Sequence, residues 1–197
     1  MSASAMPTVA IVEPPESERA VATILLAFAA DPIARWTYPD PQQYLLHFPG
    51  FIRGLGGMAF ADGTAWQVDH NAGAALWLRP GAHSDEAALA ALIDTTIPRE
   101  RQAELGAMVE QMSRYHPTEP HWYLPLIGVD PLHQCKGHGA ALLQAGLRRC
   151  DQDHLPAYLE STNPANIGLY RRHGFEIMGT IQTASSPLLT PMRRAAR

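Results

Sequence analysis

The sequence predicts a single α/β (α+β) domain in which helices flank a mixed β-sheet. Segments of alternating or β-branched apolar residues are interleaved with segments whose apolar residues recur at helical spacing. Their order along the chain is β-α-α-β-β-(αα)-β-α-β-α-β-β. A length of 197 residues suits one domain with a substantial core, and 46% hydrophobic residues exclude a disordered chain.

The N-terminal part of the chain is predicted to contain one strand, two helices and a loop. A β-branched run is stopped by Pro14-Pro15, and two later segments carry apolar residues on one helical face. Between those helices, two aromatic residues lie among prolines, which favours a shaped loop. These elements are a strand at 8–12, helices at 16–30 and 41–55 with a kink or break at Pro49, and the loop at 35–41.

The middle of the chain is predicted to form a short strand, a β-hairpin and two helices. The hairpin turn is Asp69-His70-Asn71, whose residue types favour turns. Ser84 is suited to cap the first helix and Pro98 to begin the second. The elements are strands at 58–60, 65–68 and 73–78, a helix through residue 93, and a helix from 98 to about 115.

The last third of the chain contains the most distinctive patterns. An apolar strand, Leu124–Val129, is followed by a polar loop and by a helix whose apolar stripe runs from 139 to 150. A strand at 156–160 precedes Asn163-Pro164, a side-chain cap followed by proline, which predicts a helix that ends at Gly174. Two final strands are predicted at 175–181 and 188–192.

Composition excludes several classes of function. The formal net charge is −4 with neutral histidine, so nothing favours a nucleic-acid partner. No apolar run approaches the length of about 18 residues that a membrane helix needs. The first residues lack the basic and apolar regions of a secretory signal, so a cytoplasmic location is expected. Two cysteines make no disulfide framework, and nine histidines at these spacings form no closed set of four ligands, so no metal is expected.

The junction between the strand ending at Val129 and the following helix is suited to bind an anion. The loop is Gln134-Cys135-Lys136-Gly137-His138-Gly139, so two positions lack side chains and backbone N–H groups can approach a ligand. The positive end of the helix dipole points the same way. We interpret this loop as the holder of the pyrophosphate of coenzyme A. A P-loop would need Ser or Thr after Gly-Lys, and a dinucleotide-binding loop would need a third glycine near Leu142.

The same loop resembles the phosphate-binding motif Gln/Arg-x-x-Gly-x-Gly/Ala of the GNAT superfamily of acyl-CoA N-acetyltransferases. A second signature of that superfamily, an Asn followed by a Tyr and a Gly-Phe, is similar to Asn163, Tyr170 and Gly174-Phe175. The likeness is strong over roughly residues 121–181. Within the superfamily, these blocks look most like the puromycin N-acetyltransferase group.

The resemblance implies a mixed, mostly antiparallel central sheet flanked by helices, acetyl-CoA as co-substrate and a set of contacts to it. A splay between the strands ending at Val129 and Glu160 would admit the pantetheine arm. Cys135 stands where the superfamily more often has glycine, and His138, in place of an aliphatic residue, is expected to point away from the phosphates. The implied contacts are the backbone of Ile127, Gly128 and Val129, the loop residues Gln134, Cys135, Lys136, Gly137, His138, Gly139 and Ala140, and the side chains of Asn166 and Tyr170.

The implied chemistry is direct attack of a neutral amine on the thioester. Tyr170 would be the general acid that protonates the leaving thiolate, and a backbone amide near Ile127 would stabilise the oxyanion. Glu160, at the end of its strand, is the candidate general base, directly or through water. Trp36 and Tyr38 are explained equally well as core residues. The acceptor pocket would be walled by Trp36, Tyr38 and Trp77.

We therefore predict one domain over 1–197, with 1–120 mainly on the acceptor side and 121–181 forming the acetyl-CoA-binding core. The predicted acceptor is a primary amine of a small molecule. The alternatives are a peptide or protein amine, and a non-catalytic acyl-CoA-binding sensor on the same fold. The oligomeric state stays open between monomer and homodimer. Cys135 is disfavoured as an acyl-carrying nucleophile because no partner base is evident.

Overall fold

A computed structural model describes residues 6–197 of the chain. The strands are β1 Val9–Ile11, β2 Ala65–Val68, β3 Gly73–Leu78, β4 Trp122–Val129, β5 Ala157–Ser161, β6 Glu176–Ile177 and β7 Thr190–Arg194. They form one seven-stranded sheet in the order β1-β2-β3-β4-β5-β7-β6, and only the pairing of β4 with β5 is parallel. This architecture confirms the predicted mixed, mostly antiparallel sheet. The expectation about a secretory signal concerns residues 1–5 in part, and these lie outside the described residues.

Helices pack on both faces of this sheet. The described helices are α1 Ser17–Ala27, α2 Pro32–Thr37, α3 Pro41–Gly56, α4 Met58–Ala61, α5 Glu86–Thr96, α6 Arg99–Tyr115, α7 His138–Gln152 and α8 Ile167–Arg172. One apolar core, which includes Ile24 and Leu126, lies on the face covered by α1 and α3. A second core, which includes Trp77 and Leu142, lies on the face covered by α7. Within residues 6–197, no helix is long and apolar enough to cross a membrane.

The segment predicted as a loop at 35–41 is instead largely helical. Asp31 begins α2, because its Oδ1 accepts from the N–H groups of Ile33 and Ala34 at 3.0 Å, and Pro32 occupies the first position. The loop prediction holds only for residues 38–40, between α2 and α3, because Asp31-Pro32 follows the helix predicted at 16–30 and by itself favours a helix end. The same pair also caps a new helix.

Three smaller predictions were also wrong. Residues 58–60 belong to α4, because the helical backbone continues through Gly57 at φ −60°. Asp85 caps α5 by accepting from the N–H of Ala88 at 2.9 Å, whereas Ser84 donates its hydroxyl to the carbonyl oxygen of Leu55. The alternating segment at 175–181 is strand only at Glu176–Ile177, with one isolated bridge at Ile181.

β4 and β5 pair only at their first residues. Trp122 pairs with Ala157 and Tyr123 with Tyr158, and the described pairing stops there. β4 stays in the sheet because its other edge pairs with β3 as far as Val129. The gap between the second half of β4 and the end of β5 is the predicted splay.

A β-bulge in β4 lies where this gap begins. The register between β3 and β4 shifts between Leu76 and Leu78. As a result, Leu124 packs in the core under α7, whereas Leu126 packs in the core under α1 and α3. Pro125 lies between them, at a position where the missing N–H is tolerated.

Candidate active site

The unpaired half of β4 directs backbone groups into the gap. The N–H of Asp130 donates to the carbonyl oxygen of Ala72 at 2.9 Å, which sets the direction of alternate residues along this half-strand. The N–H and C=O groups of Ile127 and Val129 therefore point towards the gap, while those of Gly128 point towards β3. Gly128 instead allows close packing of α1, because a Cβ there would lie 2.6 Å from the Cβ of Ala27.

The loop between β4 and α7 presents a run of N–H groups. In the described part of the chain, the N–H groups of residues 134–140 donate to no protein acceptor. Gly137, at φ +86°, occupies the N-cap position of α7 without a side-chain cap. Any other residue would be strained at this positive φ. The open N–H groups and the positive end of α7 lie together, an arrangement suited to bind an anion.

The side chains of this loop leave its N–H groups accessible. Gln134 donates through Nε2 to the carbonyl oxygen of Val129 at 3.3 Å. Lys136 donates through Nζ to the carbonyl oxygen of Leu132 at 3.1 Å. Cys135 is exposed at φ +60°. None of these side chains folds over the N-terminus of α7.

His138 points away from the loop towards the β2–β3 turn. Its Nε2 lies 2.9 Å from Oδ2 of Asp69, and its Nδ1 lies 2.9 Å from the carbonyl oxygen of His133. Asp69 also accepts from the N–H of Thr8 at 2.8 Å. These contacts anchor the first turn of α7 to the hairpin, so His138 helps to fix the position of the loop.

Tyr170 of α8 is buried beside the gap. It packs in the same core as Leu124 of β4 and Leu159 of β5, and is 5% exposed. Burial, together with the negative charge of Asp31, raises the pKa of Tyr170. Its hydroxyl therefore stays protonated and can donate. Asn166, exposed on the turn before α8, lies four residues ahead of Tyr170.

Glu160 flanks the gap on the sheet face opposite to α7. It lies two residues beyond Tyr158, the last residue of β5 that pairs with β4, and its side chain is only 4% exposed. Oε2 accepts from the hydroxyl of Tyr123 at 2.8 Å, whereas Oε1 is buried without a hydrogen-bond partner. The hydroxyl of Tyr158 is also buried without a partner. Burial and the charge of Glu160 raise the pKa of both tyrosines, so both hydroxyls stay protonated.

Sequence reasoning missed Asp31 and Thr162. Asp31 is 7% exposed, and its Oδ2 accepts from the hydroxyl of Thr162 at 2.5 Å. This bond joins the start of α2 to the end of β5. Burial raises the pKa of Asp31, and its carboxylate is near enough to affect Tyr170. The pair Asp31-Pro32, a strong helix start, was the only local signal for this arrangement.

The three aromatic residues predicted to wall the acceptor pocket lie in different surroundings. Trp36 is partly buried, and its indole N–H donates to Ser185 at 3.0 Å. Tyr38 is 2% exposed, with its hydroxyl 2.6 Å from Oγ1 of Thr96. Trp77 has no exposed surface and packs under α7. Trp77 therefore has no surface with which to contact an acceptor.

The described residues contain no group of three or more His, Cys, Asp or Glu side chains placed to hold a metal ion. The groups beside the gap are Tyr170, Glu160, the backbone N–H groups of β4 and the loop with open N–H groups. This is a set of groups suited to bind an elongated phosphorylated ligand and to move protons.

Comparisons with known proteins agree with this geometry. The model of the acetyltransferase (GNAT) family matches residues 64–175. An uncharacterised N-acetyltransferase of Schizosaccharomyces pombe is 24% identical over 184 residues, which cover 83% of this chain and 72% of the relative.

Two solved structures share the fold over nearly the whole chain. The first is described as histone acetyltransferase HPA2 and related acetyltransferase from Corynebacterium glutamicum. It has a TM-score of 0.71 and 24% identity, and the match covers 97% of each chain. The second is arylalkylamine N-acetyltransferase 2 of Aedes aegypti, with a TM-score of 0.66, 12% identity and coverage of 97% and 99%. At these identities the likeness concerns the fold.

Proposed function

The chain belongs to the acetyltransferase (GNAT) family and is an acyltransferase, and from this premise we propose that it transfers the acetyl group of acetyl-CoA to an amine of a small molecule. The gap in the sheet is the observation that carries the proposal. The unpaired half of β4 runs from a loop of open N–H groups to the neighbourhood of Tyr170. A cofactor with phosphates at one end and a reactive thioester at the other fits this path.

The residues present fit acetyl-CoA. The N–H groups of residues 134–140 would hold the pyrophosphate at the N-terminus of α7. The backbone groups of Ile127 and Val129 would bond the pantetheine amides as an added strand would. The exposed side chain of Asn166 would reach the same arm. When bound, acetyl-CoA supplies an acetyl group that is activated as a thioester.

The residues at the gap would then position the thioester and move protons. The hydroxyl of Tyr170 would protonate the sulfur as the thiol leaves, because its raised pKa keeps it in the acid form. The N–H of Ile127 would donate to the thioester carbonyl oxygen, on which negative charge develops. Glu160 would receive the acceptor amine and is the candidate for removing its proton.

The acceptor would approach from the face opposite to α7. Two buried carboxylates, Asp31 and Glu160, lie on the borders of the gap. Their combined charge favours amines that arrive as ammonium ions. Trp36, which is only partly buried, remains a proposed wall of the pocket, whereas Tyr38, at 2% exposed, would have to become uncovered to contact an acceptor. A small-molecule acceptor accords with the Aedes aegypti structure, whose name specifies an arylalkylamine substrate.

Two other functions remain to be separated from this one by experiment. The name of the Corynebacterium glutamicum structure includes a histone acetyltransferase, which favours a peptide or protein amine as the second candidate. A protein that binds acetyl-CoA without transferring its acetyl group would be a sensor. The resemblance to the puromycin N-acetyltransferase group points to small-molecule acceptors.

The test is turnover with acetyl-CoA and a panel of primary amines, with lysine peptides in parallel. The acetylated product should be measured by mass spectrometry, because the exposed thiol of Cys135 would react with thiol reagents used to follow coenzyme A release. We expect product from small ammonium compounds and little from peptides. Product from peptides alone would favour the second candidate. Tight binding of acetyl-CoA without any product would favour the sensor.

A further inference from the structure

Two histidines lie beside Glu160 and have no role in the reaction described above. His116 follows α6, and His121 precedes β4. The ring of His116 packs edge-on against the rings of Tyr123 and Tyr158, with centroids 5.0 Å and 4.9 Å away. Its Nδ1 lies 4.0 Å from Oε1 of Glu160. The two aromatic rings therefore hold this imidazole next to the carboxylate.

The hydrogen bonds of the two histidines assign their protons. Nδ1 of His121 lies 2.8 Å from the carbonyl oxygen of Glu119, which can only accept, so this nitrogen carries a proton. Burial lowers the pKa of His121, so the ring is neutral and its Nε2 is an acceptor. Nε2 of His116 lies 3.1 Å from that acceptor and therefore donates. In neutral His116 the remaining nitrogen, Nδ1, is an unprotonated base directed at Glu160.

Glu160 presents a second acceptor at the same point. Its Oε2 is bonded by Tyr123, but its Oε1 is buried without a donor. A buried carboxylate oxygen without a donor is unfavourable. Oε1 and Nδ1 of His116 lie 4.0 Å apart, and neither accepts a hydrogen bond from the described residues. The hydroxyl of Tyr158, also buried without a partner, is close enough to Glu160 to compete as a donor to Oε1. An ammonium group has three N–H donors and can satisfy both atoms at once, whereas an anion would be repelled.

Building on the proposed function, we propose that Glu160 and His116 together bind the acceptor as a primary ammonium ion, and that His116 removes its proton. One N–H bond of R–NH3+ breaks, its electron pair stays on the amine nitrogen, and the proton joins Nδ1 of His116. The products are R–NH2, ready to attack the thioester, and an imidazolium beside the Glu160 carboxylate. Because the His116 side chain is 39% exposed, it releases this proton to water.

The proposal gives each group a distinct role, and it moves the role of general base from Glu160 to His116. Glu160 binds the ammonium and stabilises the imidazolium, while His116 is the base. His121 is a positioning residue, because its neutral Nε2 keeps the proton of His116 on Nε2 and leaves Nδ1 free. Arg193 of β7, which pairs in register with Tyr158, donates to Glu119 at 2.8 Å, so its charge is partly neutralised.

A binding experiment tests the ammonium site without requiring turnover. The probe is n-butylammonium chloride, titrated by NMR into wild-type protein, Glu160→Gln and His116→Phe. Glu160→Gln keeps the shape of the side chain, and His116→Phe keeps the aromatic packing against the two tyrosines. We expect binding to weaken about tenfold or more in each variant, because each loses one of the two acceptors. Unchanged binding in either variant, with the fold intact by circular dichroism, would overturn the proposal.

Chemical rescue tests the proton transfer. With an amine that the wild type acetylates, His116→Ala should lower kcat roughly 100-fold, within the usual range for general-base catalysis. Added imidazole should restore turnover in His116→Ala, which has space for it, but not in His116→Phe. His83→Ala, at an exposed histidine in the loop before α5, is the control and should neither lose activity nor respond to imidazole.

The two experiments separate this inference from the proposed function. Weakened n-butylammonium binding in the variants, without acetylation of any amine by the wild type, would refute the acetyl transfer and support the ammonium site. Wild-type turnover that His116→Ala leaves within about twofold would refute His116 as the base. Replacing His121 with Ala in the His116→Ala background should cost nothing further, because a positioning residue acts only through the group it positions.

Discussion

Gly146→Ala tests whether Trp77 belongs to the core or to the acceptor pocket. Gly146 lies on the face of α7 that packs on the sheet. A Cβ added there would lie 2.2 Å from Cε2 and 2.3 Å from Nε1 of Trp77. Real Cβ atoms do not come so close, and the indole has no exposed surface towards which it could move. Either the ring or the helix must shift, and such overpacking costs about 1–3 kcal/mol.

The higher helix propensity of alanine opposes this overpacking cost and must be measured separately. Alanine is favoured over glycine in a helix interior by about 1 kcal/mol. Gly106→Ala in α6 isolates this term, because Gly106 is exposed and a Cβ there would meet no atom within 4 Å. We expect Gly106→Ala to raise the free energy of unfolding by about 1 kcal/mol. The free energy of unfolding of Gly146→Ala should then be about 1–3 kcal/mol lower than that of Gly106→Ala.

Denaturant unfolding of the wild type and both variants measures these differences. Thermal unfolding gives a second measure, since 1 kcal/mol corresponds to about 2–4 °C in Tm for a chain of this size. If Gly146→Ala stabilises the protein as much as Gly106→Ala does, the indole does not pack against α7. Trp77 would then again be a candidate for contact with an acceptor.

Three further predictions concern the gap and the loop. Tyr170→Phe should lower kcat by about 100-fold or more, while calorimetry finds acetyl-CoA affinity nearly unchanged, because only the proton for the leaving sulfur is lost; an unchanged rate would remove Tyr170 from the mechanism. Gly139→Ala should weaken acetyl-CoA binding about tenfold, because the methyl group lies where backbone must approach phosphate; the new Cβ would meet Leu169 at an ordinary 3.5 Å, so unfolding should change little. The N–H of Thr8 and, secondarily, His138 hold the pKa of Asp69 below its usual 3.8. The ionised carboxylate of Asp69 therefore stabilises the folded protein above pH 3.8, and this stabilisation is lost as the pH falls through the lowered pKa. Asp69→Asn should therefore show a smaller loss of unfolding free energy between pH 5 and pH 2 than the wild type, by about 1 kcal/mol or less at this partly exposed site; equal losses would contradict the assignment.

Local sequence patterns predicted the features whose conformation depends on residues adjacent in sequence. Gly137 adopts the positive φ that a Gly-x-Gly loop requires, and Asn163 caps the turn before α8 as its place ahead of a proline predicts. The hairpin turn at Asp69–Asn71 adopts positive φ throughout, as its residue types favour. The geometry of the candidate anion site was predictable from the sequence because its strand, loop and helix N-terminus are consecutive in the chain.

The acceptor side was less predictable because distant segments assemble it. Tyr123 and Glu160 are 37 residues apart, and Thr162 and Asp31 are 131 residues apart. No single pattern marks His116 or His121 as neighbours of Glu160, since they lie on the segment between α6 and β4 and come near Glu160 by packing their rings against Tyr158 of β5. The proposed acceptor site draws on both parts of the predicted division, Asp31 from 1–120 and Glu160 from 121–181, and the division itself stays a prediction.

The chemistry of the two cysteines favours direct transfer over a covalent acyl-enzyme. Cys150 is buried in the core under α7, and burial raises the pKa of its thiol to about 12, so the thiolate is scarce at neutral pH. Cys135 is exposed on the loop proposed to hold the phosphates, at the opposite end of the proposed cofactor path from Tyr170. A thioester placed at Tyr170 would therefore meet no thiol competent to accept the acetyl group. The gap, in contrast, opens between the face that carries Tyr170 and the face that carries Glu160, so in the proposed mechanism the amine would reach the thioester through the sheet itself. Cys135→Ser should accordingly leave the rate of acetyl transfer within about twofold of the wild type, and loss of transfer in that variant would contradict direct attack.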